Sequence, residues 1–140
     1  MNILIIGCQH GDEKLGQKVI DRFTGEGYEG VSFILANEKA AECNVRFIDQ
    51  DLNRSFPGNP NGNYEEQRAA QILPAIQSAD IVIDIHTTTS EVKMVPIIAS
   101  LTSEIEKVIN LTTAMEIVVM GDEAVKRSLI GHADVGISLE

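Results

Sequence analysis

Apolar residues run unbroken from Ile3 to Ile6 and stop at Gly7, the pattern of a strand buried on both faces of a sheet. From Glu13 to Phe23 the period lengthens. Leu15, Val19, Ile20 and Phe23 fall on one helical face, and Gly25 and Gly27 supply stop signals. Val31 to Ala36 reads as a second strand and Glu38 to Cys43 as a short helix. The stretch from Asp49 to Asn63 has no apolar period and holds two prolines, two glycines and four asparagines, so it is a loop. Asn63 with Glu66 predicts a capping box opening a helix. The buried stripe of that helix is Ala69, Ile72, Leu73 and Ile76, and Pro74 is expected to kink or shorten it. Ile81 to Ile85 is a third strand and Val95 to Ala99 a fourth. Ser103 and Glu106 form a second candidate capping box, followed by a helical face of Ile105, Val108, Ile109 and Thr112. Ile117 to Met120 and Val135 to Leu139 are the last candidate strands.

Strands alternating with helices predict an α/β fold. The expected form is a three-layer sandwich in which a mixed, largely parallel sheet carries helices on both faces. No internal repeat and no low-complexity segment interrupts this order.

Composition narrows the setting. A chain of 140 residues corresponds to one domain with room for a core. The net charge of −10 argues against nucleic acid or an anionic membrane as partner. Cys8 and Cys43 are the only cysteines, too few for a disulfide framework, which points to a reducing cytoplasm. No apolar run approaches the ~20 residues of a membrane span. Met1 to Gly7 has no basic leader and reads as a strand rather than a signal peptide.

Three short pieces carry candidate chemistry: His10-Gly11-Asp12-Glu13, Asp51 to Gly58, and Asp84-Ile85-His86. In an α/β sheet, sites form beyond the carboxyl ends of strands. His10 and Glu13 follow the first strand and His86 ends the third, so the three can converge on one sheet edge. Two imidazoles and a carboxylate are the ligand set of hydrolytic zinc sites that keep a position open for water, which predicts one zinc per chain. Asp84 lies two residues before His86 on the same side of the strand. It is either a carboxylate that orients the imidazole or a solvent-facing residue. Arg54 and Asn53 can clamp a carboxylate, and Arg46 can polarise a carbonyl. Asp51 is expected to hold an arginine in place. Cys8 reads as a small buried residue, His132 as a loop residue, and Arg127 as part of a solvated helix face or a second carboxylate contact.

With these motifs the chain resembles the succinylglutamate desuccinylase/aspartoacylase family, relatives of the zinc carboxypeptidases. The resemblance rests on Gly7 to Glu13, Arg46, Asp51 to Gly58 and Asp84 to His86. It implies that His10, Glu13 and His86 bind zinc, that Arg46 polarises the scissile carbonyl, and that Asn53 and Arg54 hold the substrate carboxylate. It also implies a general base at Glu140, at the end of Val135 to Glu140, and a further substrate arginine at Arg127. The family usually continues into a β-rich second domain. Residues 1–140 are therefore expected to form a single zinc-hydrolase domain lacking that part. Leu139-Glu140 is also the dipeptide that a common cloning site leaves, an alternative origin for that glutamate. The expected activity is hydrolysis of the amide or ester bond of a small N-acyl amino acid or similar carboxylate-bearing substrate. The alternatives are a carboxypeptidase-like peptidase and a zinc-binding domain without catalysis. A chain terminus tends to fray, so Glu140 is expected to be imperfectly held.

Overall fold

The strands with the strongest apolar runs lie side by side at the centre of the sheet. In the computed structural model, which describes residues 1–89 and 94–140, β1 (Ile3–Gly7) pairs in parallel with β2 (Val31–Leu35) on one side and β3 (Ile81–Ile85) on the other. β6 (Gly136–Leu139) continues the parallel set next to β3. β4 (Pro96–Ile98) runs antiparallel to β6, and β5 (Val118–Val119) runs parallel to β4 at the edge. Among the described residues the sheet has six strands in the order β2-β1-β3-β6-β4-β5.

Helices cover both faces. On one face, α1 (Lys14–Thr24) crosses β1 so closely that a Cβ added at Gly7 would lie 2.7 Å from the backbone of Gly16. Glycine at both positions permits that approach. α4 (Ser103–Ile109) lies on the same face, where Ile105 packs with Ile98 and Ile137. On the opposite face, Leu4, Ile6 and Val82 pack against Ala69, Ile72 and Ile76 of α3 (Tyr64–Ser78). The mixed, largely parallel three-layer α/β arrangement expected from the sequence is therefore present.

α2 (Glu38–Cys43) has the bounds expected from its sequence. The loop after it contains one 3-10 turn at Leu52–Arg54, whose Leu52 is fully buried. The capping box of α3 forms as expected, with Asn63 and Glu66 bonded reciprocally. Pro74 does not shorten α3, which continues to Ser78. Ile72 and Ile76 flank the proline and both are buried, so their packing offsets the missing N–H. The second capping box is corrected as well. Thr102, not Ser103, caps α4 by accepting from the N–H of Ile105. A further helix, α5 (Asp122–Arg127), precedes β6. Among the described residues no helix is long and apolar enough to cross a membrane.

This topology positions the site. Gly7, Ile85 and Leu139 sit at one level in adjacent parallel strands, so β1, β3 and β6 all end at the same edge of the sheet. The residues that follow these ends are Cys8 to Glu13, His86 and Glu140.

Candidate metal centre

Cys8 turns the chain out of β1 with a positive φ of 56°. Its side chain is buried, as expected, and its Sγ donates to the carbonyl of Glu13 at 3.3 Å. A Cβ at Gly11 would lie 2.1 Å from the carbonyl carbon of Ala40, so only glycine lets α2 close on this loop. The Gly11 N–H donates to the carbonyl of Arg46 at 3.1 Å, which ties the two loops together.

Glu13 stands at the N-cap position of α1 yet makes no capping bond. Its carboxylate turns instead to both histidines. Oε1 lies 2.6 Å from Nδ1 of His10, and Oε2 lies 3.1 Å from Nδ1 of His86. Oε2 also accepts from the N–H of Thr87 at 2.9 Å. One ligand atom from each of His10, Glu13 and His86 lies within 4.8 Å of the other two. Donors placed ~2.0–2.2 Å from one tetrahedral zinc stand roughly 3.3–3.5 Å apart, so small shifts of these side chains would seat an ion.

Each imidazole presents Nδ1 to Glu13 and its far nitrogen to an aspartate. Nε2 of His86 lies 2.7 Å from Oδ2 of the fully buried Asp84, and Nε2 of His10 lies 3.1 Å from Oδ1 of Asp51. Of the two readings open for Asp84, the solvent-facing one is ruled out by its burial. Asp51 pairs with an arginine as expected, since Arg46 Nη2 lies 3.9 Å from its Oδ2, and His10 is its nearer partner. Arg46 Nη2 also approaches Nε2 of His10 at 3.0 Å. Nε2 cannot both donate to Asp51 and accept from Arg46. A cation held at Nδ1 would leave the proton on Nε2, which favours the bond to Asp51 over the contact with Arg46.

Electrostatics point the same way. Burial pushes the Glu13 carboxyl up, but the hydrogen bonds from His10 and His86 outweigh it and hold the group far below the usual carboxylate range. Burial raises Asp51 too, and its bond to His10 turns the net shift downward. Burial lowers both imidazoles, yet the neighbouring carboxylates win. His10 is raised by Asp51 and Glu13, and His86 is raised well above its ordinary value by the charge of Asp84. Without a cation this cluster draws protons onto its histidines. Two imidazoles within a ring of ionised carboxylates are the donor set that zinc takes, so the residues present fit the metal.

The loop and the late strand complete a cavity of about 160 Å³ beside the cluster. Arg46, Asn53 and Arg54 line it together with His10, Asp51, His86, Ser138 and Glu140, and Ile97, Met120 and Ile130 form an apolar wall. Asp51 organises the loop by accepting from the N–H of Asn53 at 2.8 Å. Arg54 is exposed, and its Nη1 donates to the carbonyl of Asn53 at 2.7 Å. Arg127 does not line this cavity. It ends α5 as an exposed residue, and its Nε donates to the carbonyl of Arg54 at 3.0 Å, so it braces the loop from outside.

Glu140 is held more firmly than expected of a terminal residue. Its N–H donates to the carbonyl of Val95 and its own carbonyl accepts from Val95 N–H, each at 3.1 Å. The fraying expectation is therefore not met. Burial raises the Glu140 carboxyl above its ordinary value.

Gln9, which sequence reasoning passed over, is fully buried beside the cluster, and its Nε2 donates to Oδ2 of Asp84. Ser138, opposite Asp84 in the ladder, lies 3.5 Å from the same oxygen. The first could have been noticed as a polar residue immediately before His10 at a strand end. The second depends on a strand pairing that no local pattern reveals. His132 lies in a 3-10 turn, with its ring 6.0 Å from that of Phe56 and away from the cluster.

Comparison with known proteins identifies the family and the fold. The model of the succinylglutamate desuccinylase/aspartoacylase catalytic domain matches residues 1–126. An N-acyl-aromatic-L-amino acid amidohydrolase (carboxylate-forming) of Xenopus tropicalis is 34% identical over 105 residues, covering 63% of this chain and 34% of the relative. A probable aspartoacylase of a Nostoc species is 36% identical over 104 residues, covering 63% of this chain and 35% of the relative. The chain thus spans about a third of the length of the curated relatives it matches. The crystal structure of murine aminoacylase 3 superposes with a TM-score of 0.76 at 24% identity, over 100% of this chain and 55% of that one. This likeness shows the same zinc carboxypeptidase-like fold. The chain belongs to the succinylglutamate desuccinylase/aspartoacylase family.

Proposed function

We propose that this chain is the catalytic part of a zinc-dependent amidohydrolase that cleaves the amide bond of a small, carboxylate-bearing N-acyl amino acid. The observation that carries the reading is the His10, Glu13 and His86 cluster opening beside a cavity with Arg46, Asn53 and Arg54 on its wall. The relatives described as amidohydrolase and aspartoacylase support the same reaction class.

His10 and His86 through Nδ1, and Glu13 through its carboxylate, would hold the metal. When bound, zinc supplies Lewis acidity, which polarises a carbonyl and brings the ionisation of water toward neutral pH. Asp51 and Asp84 fix the two rings by accepting hydrogen bonds from the Nε2 N–H groups. Arg54, aided by Asn53, grips the substrate carboxylate, while Arg127 steadies the Arg54 backbone. Arg46, close to the cluster and half-exposed, can turn from His10 to the oxygen of the scissile carbonyl and stabilise its developing charge. Glu140 accepts the proton of the attacking water and returns it to the departing amine.

Metal analysis of the purified protein, followed by a hydrolysis screen over N-acyl amino acids with acidic, aliphatic and aromatic side chains, tests this reading. The expected result is about one zinc per chain and turnover of at least one substrate class. Absence of both would overturn it. Zinc uptake with no turnover of any substrate would leave a metal-binding domain without catalysis.

A further inference from the structure

One buried carboxylate stands outside the proposed chemistry. Glu65 lies in the first turn of α3, is fully buried, and lines neither the metal cluster nor the cavity beside it. Its Oε1 accepts from the N–H of Ile48 at 2.7 Å and from Nδ2 of Asn37 at 3.1 Å. Its Oε2 accepts from the N–H of Asp49 at 3.0 Å and from that of Gln50 at 3.2 Å. Three successive backbone N–H groups therefore converge on one carboxylate. Such a concavity of amides is an anion site, and here the chain fills it from within.

The residues it fastens matter. The segment from Asn44 to Asp51 belongs to no helix or strand, so the N–H groups of residues 48 to 50 must find partners elsewhere. Both ends of this segment reach His10. Arg46 precedes the anchored amides and lies 3.0 Å from the ring nitrogen of His10, and Asp51 follows them and lies 3.1 Å from it. The other partner, Asn37, caps α2 through Ala40, and Ala40 is the residue packed on Gly11 next to His10. A glutamate needed only to open a helix would stay in water, where it suits the positive end of the helix at no burial cost.

We propose that Glu65 is a positioning residue that holds Asp51 against His10, and so sets the metal affinity of the site without touching the metal. This rests on the metal site proposed above.

Glu65→Gln keeps the shape, but its amide nitrogen cannot accept from the backbone N–H groups. Zinc affinity, read by chelator competition, should fall roughly tenfold or more, as it does when a partner of a ligating histidine is lost. Ile76→Val, a core change in the same helix, should lower thermal stability and leave zinc affinity unchanged. In an Asp51→Asn background the further loss from Glu65→Gln should shrink below about threefold, because the route to His10 is already broken. If Glu65→Gln does not fold, Glu65→Asp keeps the charge but falls short of the amides, and the same measurements on it should show a smaller loss of the same kind. Unchanged zinc affinity in a folded Glu65 variant, or full additivity with Asp51→Asn, would overturn the proposal alone. Failure of the unaltered protein to bind zinc would overturn the metal site and this inference with it.

Discussion

His86 and Asp84 are both buried, and the ring Nε2 lies 2.7 Å from the carboxylate Oδ2. The two side chains sit two residues apart on β3, where alternation points them to the same side. The bond leaves Nδ1 of His86 facing Glu13 and fixes which nitrogen can meet a metal.

Asp84→Asn tests this relationship. The amide preserves the shape but offers a weaker partner to the Nε2 proton and removes a buried charge that favours a cation. Zinc affinity should fall about 10–100-fold, the usual cost of altering such a partner. Chelator competition on the folded variant gives the measurement, and an unchanged dissociation constant would remove Asp84 from the account of the site.

The ligands themselves should behave more severely. His10→Ala, Glu13→Ala and His86→Ala each take one of three donors from the cluster, and each should abolish tight zinc binding. Metal content that stays the same in all three variants would mean that zinc binds elsewhere or not at all.

Much of this site was visible in the sequence because it follows strand ends. Ile3 to Ile6 and Ile81 to Ile85 are rich in branched apolar residues, with His86 directly after the second and His10 four residues past the first. What stayed hidden depends on distant partners. Nothing near Glu65 signals burial, since its four donors come from residues 37 and 48 to 50. Asp51 has the arginine partner its loop suggests, in Arg46, but its nearer partner His10 is 41 residues away in sequence and is supplied by the fold. Pro74 has a real local cost, yet α3 continues past it to Ser78 because Ile72 and Ile76 on either side are buried.

The stabilisation that zinc gives should depend on pH. His10 and His86 have raised values in the metal-free cluster, so their contribution is complete below about 6.5 and is lost as pH rises through the raised values. Glu13 is lowered from 4.5 and Asp51 from 3.8, so theirs is complete above those values and is lost as pH falls through the lowered ones. The metal-free cluster therefore favours the folded state most at mildly acidic pH. Zinc displaces the imidazole protons, so the rise in Tm that it produces should grow as pH increases from about 5.5 to 8. Thermal melts with zinc and with chelator across that range check this, and a shift that does not depend on pH would contradict it.

Arg54 should matter to substrate more than to folding. It is exposed, and its side chain donates to the neighbouring Asn53 carbonyl, so Arg54→Ala should change stability by less than about 0.5 kcal/mol. Arg54→Lys should raise KM nearly as much as Arg54→Ala, because lysine lacks the planar fork that meets both carboxylate oxygens. An Arg54→Lys enzyme with unchanged KM would take the clamp out of the mechanism.

Glu140 carries the strongest claim about catalysis. It lies past the 126 residues matched by the family model, so its role rests on geometry and on the likeness of its strand. β6 carries it to the edge where β1 and β3 end, two backbone bonds to Val95 hold it there, and it lines the cavity with His10 and His86. A base must be ionised to accept a proton. Burial raises the Glu140 carboxyl, so kcat/KM should decline as pH falls through that raised value, at a higher pH than for an exposed glutamate. Glu140→Gln should lower kcat by about 10²–10⁴-fold and abolish that acid limb. Zinc content should stay the same, since Glu140 is not one of the clustered ligands. A Glu140→Gln protein that keeps its kcat would show that another group moves the proton. One that loses its zinc would show that Glu140 belongs to the metal and not to the water.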